Sequence, residues 1–304
     1  MKRMNWALAR KQQALQERAR ILQEVRAFFI AGEFLEIETP GRIPVNAPEP
    51  HIDAITSEDW YLQTSPELAM KRLLAAGYQQ IFQLCRVWRA AERGRLHLPE
   101  FTLLEWYRAN ADYRILMDDC AALLQQITPD RSLTWQGRTN DLDHPWEVLT
   151  VREAFASYAG ISLEQALAED RFEETFASDI EPWLGLQRPT FLIEFPIELA
   201  ALARAKPGNP AVAERFELYV CGLELANAFS ELNDAKVQRA RFARDEQQRQ
   251  AAGKPPCPMP EKFLAEISSL PRAAGIALGF DRLIMLLTGQ TDIAEVVAFP
   301  PESL

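Results

Sequence analysis

Apolar positions at three- and four-residue spacing predict helices over much of the chain. Residues 8–31 form the longest such pattern, and Gly32 is suited to end it. The stretch SPE at 65–67 suits a helix start, because it caps free amides and complements the helix dipole, so a second helix is predicted from there to Gly77. The same reasoning predicts helices over 113–127, 150–160, 162–170, 234–252 and 280–289.

Alternating apolar and polar positions predict strands between these helices. The clearest are 81–89 with 101–108, and 216–220 with 223–231, which are joined by a turn at Cys221-Gly222. Each pair is close enough in sequence to run antiparallel. Shorter strands are predicted at 34–40, 191–196 and 275–279. Because helices and strands are intermixed without a regular βαβ repeat, the sequence favours an α+β fold over a doubly wound one.

Composition restricts the classes of protein to which the chain can belong. Its 304 residues suffice for one large domain or two smaller ones. No apolar run approaches the ~20 residues of a membrane-spanning helix, and the basic N-terminus lacks the apolar core of a signal peptide. The net charge of −10 argues against a broad nucleic-acid surface. The four cysteines have no zinc-binding spacing and indicate free thiols in the cytoplasm.

One face of the strand at 101–108 combines an aromatic ring, a carboxylate and a phenol. Alternation places Phe101, Leu103, Glu105 and Tyr107 on the same side. A phenyl face can stack on a nucleotide base, and a carboxylate beside a phenol can bind an ammonium group. The simpler interpretation makes Phe101 part of the core and Glu105 a solvated residue, and this strand alone favours it.

Charged residues near this strand change that balance. Arg89 ends the preceding strand, and an arginine on a half-buried surface needs an anionic partner. The loop at 91–99 adds further charges and His97. No P-loop motif is present, so a bound nucleoside triphosphate would be held by the arginine, the charged loop and the aromatic strand.

Arg282 departs from the usual charge pattern of helices. It lies in the first turn of the last predicted helix, where the helix dipole disfavours a positive charge. A local rule broken without visible compensation often marks a functional site. An ordinary ion pair with Asp281 or Asp292 explains the position equally well.

The predicted hairpin places two carboxylates close together. With a two-residue turn, Glu224 lies opposite Tyr219 and diagonal to Glu217. Two close carboxylates repel each other unless a cation lies between them, and such oxygen ligands suit Mg²⁺ that also binds phosphates. The alternative interpretation is that both are ordinary solvated glutamates on an edge hairpin. For Glu217 taken alone, this alternative is the better interpretation.

The far end of this hairpin carries a second polar group. Asn227, Phe229 and Glu231 share one face, but their parity is opposite to that of Glu224. Both sets can face one pocket only if a bulge lies near 225–226.

Five segments together resemble the catalytic core of the class II aminoacyl-tRNA synthetases, of the lysyl type. FLEIETP resembles the motif that ends in proline at the dimer interface, RVWRAAERGRLHLPEFTLLEWY the second motif, and GIALGFDRLIMLLTG the third. TSPELAMKRL and ELANAFSELNDA resemble the lysine-pocket segments. The segments follow the family's order over about residues 10–300. The resemblance implies one catalytic domain over 1–304, with an antiparallel sheet flanked by helices, and a homodimer.

The resemblance also implies a role for each matching residue. For ATP the residues are Arg89 at the α-phosphate and the substrate carboxylate, Glu92 near the nucleotide, His97 near the terminal phosphates, Phe101 on the adenine and Arg282 at the γ-phosphate. For Mg²⁺ they are Glu217 and Glu224. For the amino acid they are Glu67 at the amino group near the carboxylate, Glu105, Tyr107 and Glu231 at the distal ammonium, and Asn227, Phe229 and Ala277 along the pocket. Arg89 and Arg282 are the predicted catalytic residues.

Several features differ from lysyl-tRNA synthetases. No anticodon-binding domain is expected, which makes the chain similar to the stand-alone paralogues that join (R)-β-lysine to elongation factor P. Ala277 stands where the synthetases usually have glycine, and its methyl group favours the β-isomer. The ATP loop reads Trp88-Arg89-Ala90-Ala91 where the family has F-R-N-E, and Glu92 is a candidate substitute. Residues 127–190 match no motif, and a divergent helical insertion is expected at about 110–190.

The leading hypothesis is an ATP- and Mg²⁺-dependent ligase that adenylates (R)-β-lysine and transfers it to a lysine side chain of elongation factor P. We expect it to work in the cytoplasm without tRNA or a membrane as partner. The alternatives are an adenylate-forming enzyme with another acceptor, and a non-catalytic paralogue that binds a partner or senses lysine. No residue identifies itself as the general base for the acceptor amine. Four arginines form either a polyanion-binding patch or, more simply, a solvated helix face: Arg239, Arg241, Arg244 and Arg249.

Overall fold

The computed structural model describes residues 6–200 and 202–304. Its α-helices are α1 (Trp6–Arg10), α2 (Gln12–Ala31), α3 (Glu67–Ala75), α4 (Tyr113–Ile127), α5 (Val151–Tyr158), α6 (Leu163–Ala168), α7 (Phe172–Thr175), α8 (Ala235–Ala251), α9 (Glu261–Glu266) and α10 (Phe280–Thr288). Its strands are β1 (Leu35–Glu36), β2 (Arg42–Ile43), β3 (Thr56–Ser57), β4 (Trp60–Leu62), β5 (Gln80–Trp88), β6 (Glu100–Ala109), β7 (Ser132–Trp135), β8 (Arg138–Asp141), β9 (Glu147–Thr150), β10 (Thr190–Ile193), β11 (Ala205–Lys206), β12 (Asn209–Ala213), β13 (Arg215–Val220), β14 (Leu223–Ser230) and β15 (Ala273–Gly279).

Eight strands of the described ranges form the main sheet, in the order β1-β5-β6-β15-β14-β13-β10-β9. The strands from β5 to β10 run antiparallel to one another, which confirms the predicted pairs 81–89/101–108 and 216–220/223–231. The outermost strands β1 and β9 run parallel to their neighbours, so the predicted antiparallel sheet is mixed at its two edges. Helices pack against this sheet, and the predicted α+β class is confirmed.

Alternation along the central strands divides the core into two layers. In β6, Leu104 and Trp106 point to one face, where they pack with Phe29 of α2 and with residues of α4 and α10. Tyr107 points to the other face and packs with Phe263 of α9 and with residues of α3. Complete burial of a large apolar side chain is worth about 1.5–3 kcal/mol, so slipping the strand by one residue would cost several such contributions. The register therefore fixes Glu105 on the face of Tyr107.

The hairpin of β13 and β14 contains the bulge that the sequence required. Leu218 pairs with Ala226, whereas Tyr219 pairs with Glu224, so Leu225 is the extra residue. The extra residue changes the parity of the strand. As a result Glu224 and Asn227 reach the same cavity, as predicted for a bulge near 225–226.

The N-terminal segments differ from their predictions in detail. Lys11 separates α1 from α2; its side chain is buried and its ammonium donates a hydrogen bond to the carbonyl of Val297 (3.1 Å). The strand predicted over 34–40 is reduced to β1, followed by one further hydrogen bond from the Ile37 amide to the Phe82 carbonyl (2.9 Å). Proline has no amide hydrogen for the ladder, so Pro40 limits the strand.

Residues 110–190 are not simply helical, which corrects the prediction for this segment. Helix α4 matches the predicted 113–127, and Thr150 caps α5 through a reciprocal bond with Glu153. However, β7 and β8 form a separate hairpin, and β9 joins the main sheet. The hairpin turn holds Gln136 and Gly137 at positive φ (49° and 77°), a turn geometry that suits tight hairpins. Among the helices of the described ranges, none has the length and apolar character needed to cross a bilayer.

Candidate active site

Two adjoining cavities open on the face of the sheet that carries Glu105. The larger, of about 380 Å³, lies between α3, the central strands and the loop at 49–52; the smaller, of about 260 Å³, extends to the start of α10. Five residues line both cavities and mark the junction between them: Glu49, Ile52, Arg89, Asn227 and Ala277. Two ligands bound in these cavities would meet at that junction.

Glu105 is the most deeply buried acid lining the larger cavity. It is 1% exposed, and its carboxylate accepts hydrogen bonds from the Ser65 hydroxyl (2.6 Å) and the Tyr107 hydroxyl (2.8 Å). Burial, aided by the charge of Glu67, raises the pKa of Glu105 to about 8. A cation in the cavity would favour the ionised carboxylate, so this wall is suited to an ammonium group. Ser65 also accepts a hydrogen bond from the Glu67 amide (3.1 Å). Helix α3 begins at Glu67, one residue later than predicted.

A lysine of the chain itself neutralises part of this acidic region. The Lys71 ammonium lies 3.1 Å from the Glu67 carboxylate and 2.8 Å from the Glu231 carboxylate, and Lys71 is 2% exposed. Burial alone would lower the pKa of Lys71, but the charges of Glu231 and Glu67 outweigh it and raise the pKa, so the lysine is charged. Because Glu231 pairs with Lys71 behind the cavity wall, its contact with a substrate ammonium stays a prediction.

The face of the sheet that carries Glu105 continues through the neighbouring strand β15 to Phe229 of β14. The Phe229 ring lies over the Lys71 ammonium, 4.9 Å from ring centroid to nitrogen. Gly275 leaves room for this arrangement, because a Cβ there would lie 2.2 Å from the Tyr107 ring and 2.5 Å from a Glu231 carboxylate oxygen. Ala277, two residues on, pairs with Glu105 on one side and Asn227 on the other, so its methyl group lies at the junction.

Arg89 lines both cavities at their junction. Its guanidinium lies over the Phe101 ring, 5.1 Å from the centroid, and 3.6 Å from the Glu92 carboxylate. It also donates to the carbonyl of Thr64 (3.4 Å). One face of Phe101 is thus covered by Arg89, so stacking on a base uses the other face or requires Arg89 to move.

Arg282 pairs with neither Asp281 nor Asp292, the partners of the simpler interpretation. Its Nη1 donates to the carboxylate (3.0 Å) and the backbone carbonyl (2.9 Å) of Glu224, and its Nη2 contacts Nε2 of His97. Partial burial of the ring and the charge of Arg282 lower the pKa of His97, so at pH 7 a neutral imidazole accepts this bond. The three side chains form the polar end of the smaller cavity.

Glu217 and Glu224 suit Mg²⁺ together with phosphate oxygens. The Glu217 carboxylate accepts bonds from Arg215 (2.7 Å) and the Tyr219 hydroxyl (2.8 Å). Burial raises the pKa of Glu217 to about 7, with Arg215 opposing and the charge of Glu224 adding to it. Within 6–200 and 202–304, no three acidic, histidine or cysteine side chains are grouped to hold a metal unaided. Two carboxylates are typical of Mg²⁺ whose other ligands are phosphates and waters, so this pair fits the ion as a companion of ATP.

The arginines of α8 are used within the chain. Arg249 is buried, so a solvated face is the wrong interpretation for that residue. It donates to the carbonyls of Glu49 (2.9 Å) and Ile52 (2.8 Å) and to the carboxylate of Asp53 (3.2 Å), and thereby fastens the loop at 49–53 over the junction. The other three also bond to the chain: Arg239 to Glu261, Arg241 to the Ala203 carbonyl, and Arg244 to the Glu198 carbonyl and Asp245.

Sequence reasoning gave no role in the site to several of its charged residues, among them Arg215, Lys71 and Glu49. Lys71 follows Glu67 by four residues, a spacing at which helical charges pair, and this signal was available. Glu49 lies in a proline-rich loop with no periodicity, and nothing in its surroundings in the sequence marks it. Of the other predicted residues, those for the amino acid line the larger cavity, apart from Glu231 behind its wall, and those for ATP line the smaller, apart from Glu217 in the larger; their roles stay predictions.

Known proteins resemble this chain over nearly all of its length. The family model for tRNA synthetases class II (D, K and N) matches residues 2–303. A protein of Haemophilus ducreyi named elongation factor P–(R)-β-lysine ligase is 40% identical to this chain over an alignment 332 residues long. The alignment covers 99% of this chain and 97% of that protein. Proteins of the same name from Klebsiella pneumoniae and Proteus mirabilis are 41% and 40% identical, with 94% of each chain covered.

Proposed function

Because the chain belongs to the family of class II tRNA synthetases (D, K and N), we propose that it is an ATP-dependent ligase that activates (R)-β-lysine and transfers it to a lysine side chain of elongation factor P. The observation that carries this proposal is the pair of cavities joined at Arg89. An acidic cavity suits a diamino acid, and the adjoining arginine, imidazole and phenyl groups suit a nucleotide. The relatives named elongation factor P–(R)-β-lysine ligase supply the choice of amino acid and acceptor.

The first step is adenylate formation. The substrate carboxylate attacks the α-phosphorus in line, the bond to the bridging oxygen breaks, and pyrophosphate leaves. Arg89 at the junction holds both the carboxylate and the α-phosphate, and Arg282 neutralises the charge on the leaving group. When bound, Mg²⁺ on Glu217 and Glu224 supplies further charge neutralisation at the phosphates.

The acidic cavity selects the amino acid by its two ammonium groups. Glu67 receives the group nearer the carboxylate, and Glu105 with Tyr107 receives the distal one. The pKa of Glu105 near 8 falls when an ammonium binds beside it, because the opposite charge favours ionisation. A monoamino acid brings no second ammonium group to these carboxylates, which disfavours its binding.

Exchange of pyrophosphate into ATP tests the first step and the choice of isomer. We expect purified protein to catalyse exchange with (R)-β-lysine in preference to L-α-lysine, and only with Mg²⁺. Replacing Ala277 with glycine is expected to shift this preference about 10-fold towards L-α-lysine, since one methyl group in a pocket contributes about 1–3 kcal/mol. An exposed alanine, Ala252, gives the matched control Ala252→Gly, which should leave the preference unchanged.

The outcome separates the alternative functions. Equal use of L-α-lysine by the unmodified protein would contradict the proposed specificity and favour an adenylate-forming enzyme with another acceptor. No exchange with either isomer would favour a non-catalytic paralogue. The second step is tested by mass spectrometry of elongation factor P after incubation with ATP and (R)-β-lysine, where one β-lysyl group per molecule is expected and charging of tRNA is not.

We further propose a homodimer that works in the cytoplasm. Ile30 near the end of α2 and Leu35 in β1 are 60% and 50% exposed, and among the described residues no strand pairs with the outer edge of β1. The cysteines are free thiols, which suits a reducing compartment. Light scattering at micromolar concentration should give twice the chain mass, and Leu35→Glu should shift it to the monomer. A monomeric unmodified protein would contradict the dimer.

A further inference from the structure

We propose that Glu49 is the general base that takes a proton from the acceptor amine during transfer of the aminoacyl group, an inference that rests on the proposed function. The step requires a proton acceptor at the place where the adenylate carbonyl lies, which is the junction of the two cavities. Of the five side chains at this junction, Glu49 alone can accept a proton in the physiological range. The others are an isoleucine, an alanine, an amide and a guanidinium that stays charged.

The carboxylates proposed to bind the amino acid or Mg²⁺ have partners within the chain. Glu105 accepts bonds on both oxygens, Glu217 likewise, Glu67 pairs with Lys71, and Glu224 pairs with Arg282. Across the described ranges no donor bonds to the Glu49 carboxylate, although its backbone carbonyl accepts from Arg249. The loop is thus fixed while the side chain stays available.

The surrounding groups keep the pKa of the Glu49 carboxyl close to the pH at which the enzyme works. The charged groups that face it are Glu67 and Lys71 from α3, Arg89 from the end of β5 and Asp245 from α8. Burial raises the pKa of Glu49 to about 7, and the negative charges of Glu67 and Asp245 add to this effect. The positive charges of Arg89 and Lys71 oppose it. A base with a pKa near the working pH combines a useful ionised fraction with strong proton affinity.

The proton balance of the transfer step is as follows. The acceptor lysine, with an unperturbed pKa of ~10.4, loses one proton to solvent as it docks. Its nitrogen lone pair forms the bond to the adenylate carbonyl carbon, and the nitrogen gives its second proton to the Glu49 carboxylate. The bond from that carbon to the phosphate oxygen then breaks, the electron pair leaves with AMP, and the products are the amide, AMP and protonated Glu49, which returns its proton to water.

Single-turnover transfer to elongation factor P tests this role with Glu49→Gln, which keeps the shape of the side chain. We expect the transfer rate to fall about 10²–10³-fold, the range for loss of a general base. Exchange of pyrophosphate should fall far less, so the ratio of transfer to exchange drops about 10²-fold. Plotted against pH, the logarithm of the unmodified transfer rate should change in slope from about two to about one near pH 7, whereas the variant keeps a slope of about one throughout.

A second nucleophile separates a base from a structural role. Hydroxylamine is a much weaker base than an alkylamine, so the nitrogen of its adduct can give its proton to water, and its attack on the adenylate should be nearly as fast in Glu49→Gln as in the unmodified protein. Asp59→Asn removes an exposed carboxylate outside the site and is the matched control. Equal loss of exchange, transfer and hydroxamate formation would overturn the proposal, as would a raised KM for (R)-β-lysine with an unchanged transfer rate. Failure of the proposed function is distinct, because the unmodified protein would then label no elongation factor P.

Discussion

Replacing Arg282 with alanine is expected to lower the rate of adenylate formation about 10³-fold, the scale for loss of an arginine that stabilises a phosphoryl-transfer transition state. The guanidinium is held by the side chain and backbone carbonyl of Glu224 and by His97, so it is positioned before any nucleotide binds. A preorganised charge needs no rearrangement as the pyrophosphate leaves, and this is why its removal should act on kcat more than on the KM for ATP.

The measurement is pyrophosphate exchange at saturating ATP, with thermal unfolding recorded in parallel. Arg282→Lys should recover only part of the rate, because an ammonium cannot reproduce the planar, forked geometry of the guanidinium. Arg272→Ala removes an exposed arginine away from both cavities and serves as the control. If Arg282→Ala kept the rate within about 3-fold of the unmodified protein, the nucleotide would not bind in the smaller cavity as proposed.

Local rules in the sequence determined those parts of the fold in which neighbours along the chain decide the structure. Helix α4 follows its prediction because Asp112 caps it and its apolar stripe is regular. The faces of β6 follow from alternation, since Trp106 and Tyr107 are buried in opposite layers. The bulge at Leu225 could be inferred because two polar sets had to meet in one pocket. In each case the signal and its structural consequence lie within a few residues.

The other parts of the fold and of the site depend on contacts between residues that are distant in sequence, and no local pattern predicts such contacts. Four residues of β9 are too few to show alternation, and the strand exists because β10 lies beside it. Glu49 takes its place from Arg249, which comes from the far end of α8. Resemblance to a family supplied most residues of the site, but it gave no role to Lys71, which lies within the segment TSPELAMKRL, or to Glu49, which lies outside the five segments. Charged residues that become neighbours only in the folded chain are therefore the part of the site for which the structure gives the most information beyond the sequence.

Replacing Lys71 with methionine is expected to raise the KM for (R)-β-lysine about 10²-fold and to leave the KM for ATP nearly unchanged. Lys71 is a positioning residue, because it lies behind the cavity wall and acts through Glu67 and Glu231. Burial raises the pKa of Glu231 to about 7 even with the lysine opposing it, so without the lysine this carboxylate is protonated at pH 7. Loss of the Lys71 ammonium and protonation of Glu231 leave the net charge of this region unchanged, but Glu67 loses the partner that fixes its orientation.

Stability distinguishes this role from simple packing. Removing one member of a buried ion pair should lower the free energy of unfolding by about 3 kcal/mol, because Glu231 must then take up a proton or stay buried without a cation. Adding Glu231→Gln to Lys71→Met removes the ionisable carboxyl group, so the double variant should recover most of the stability in urea denaturation while the KM stays high. If stability and KM recovered together, Lys71 would serve the fold alone. If the single variant bound (R)-β-lysine more tightly, the freed Glu231 would itself be the receptor of the substrate ammonium, and the positioning role would be excluded.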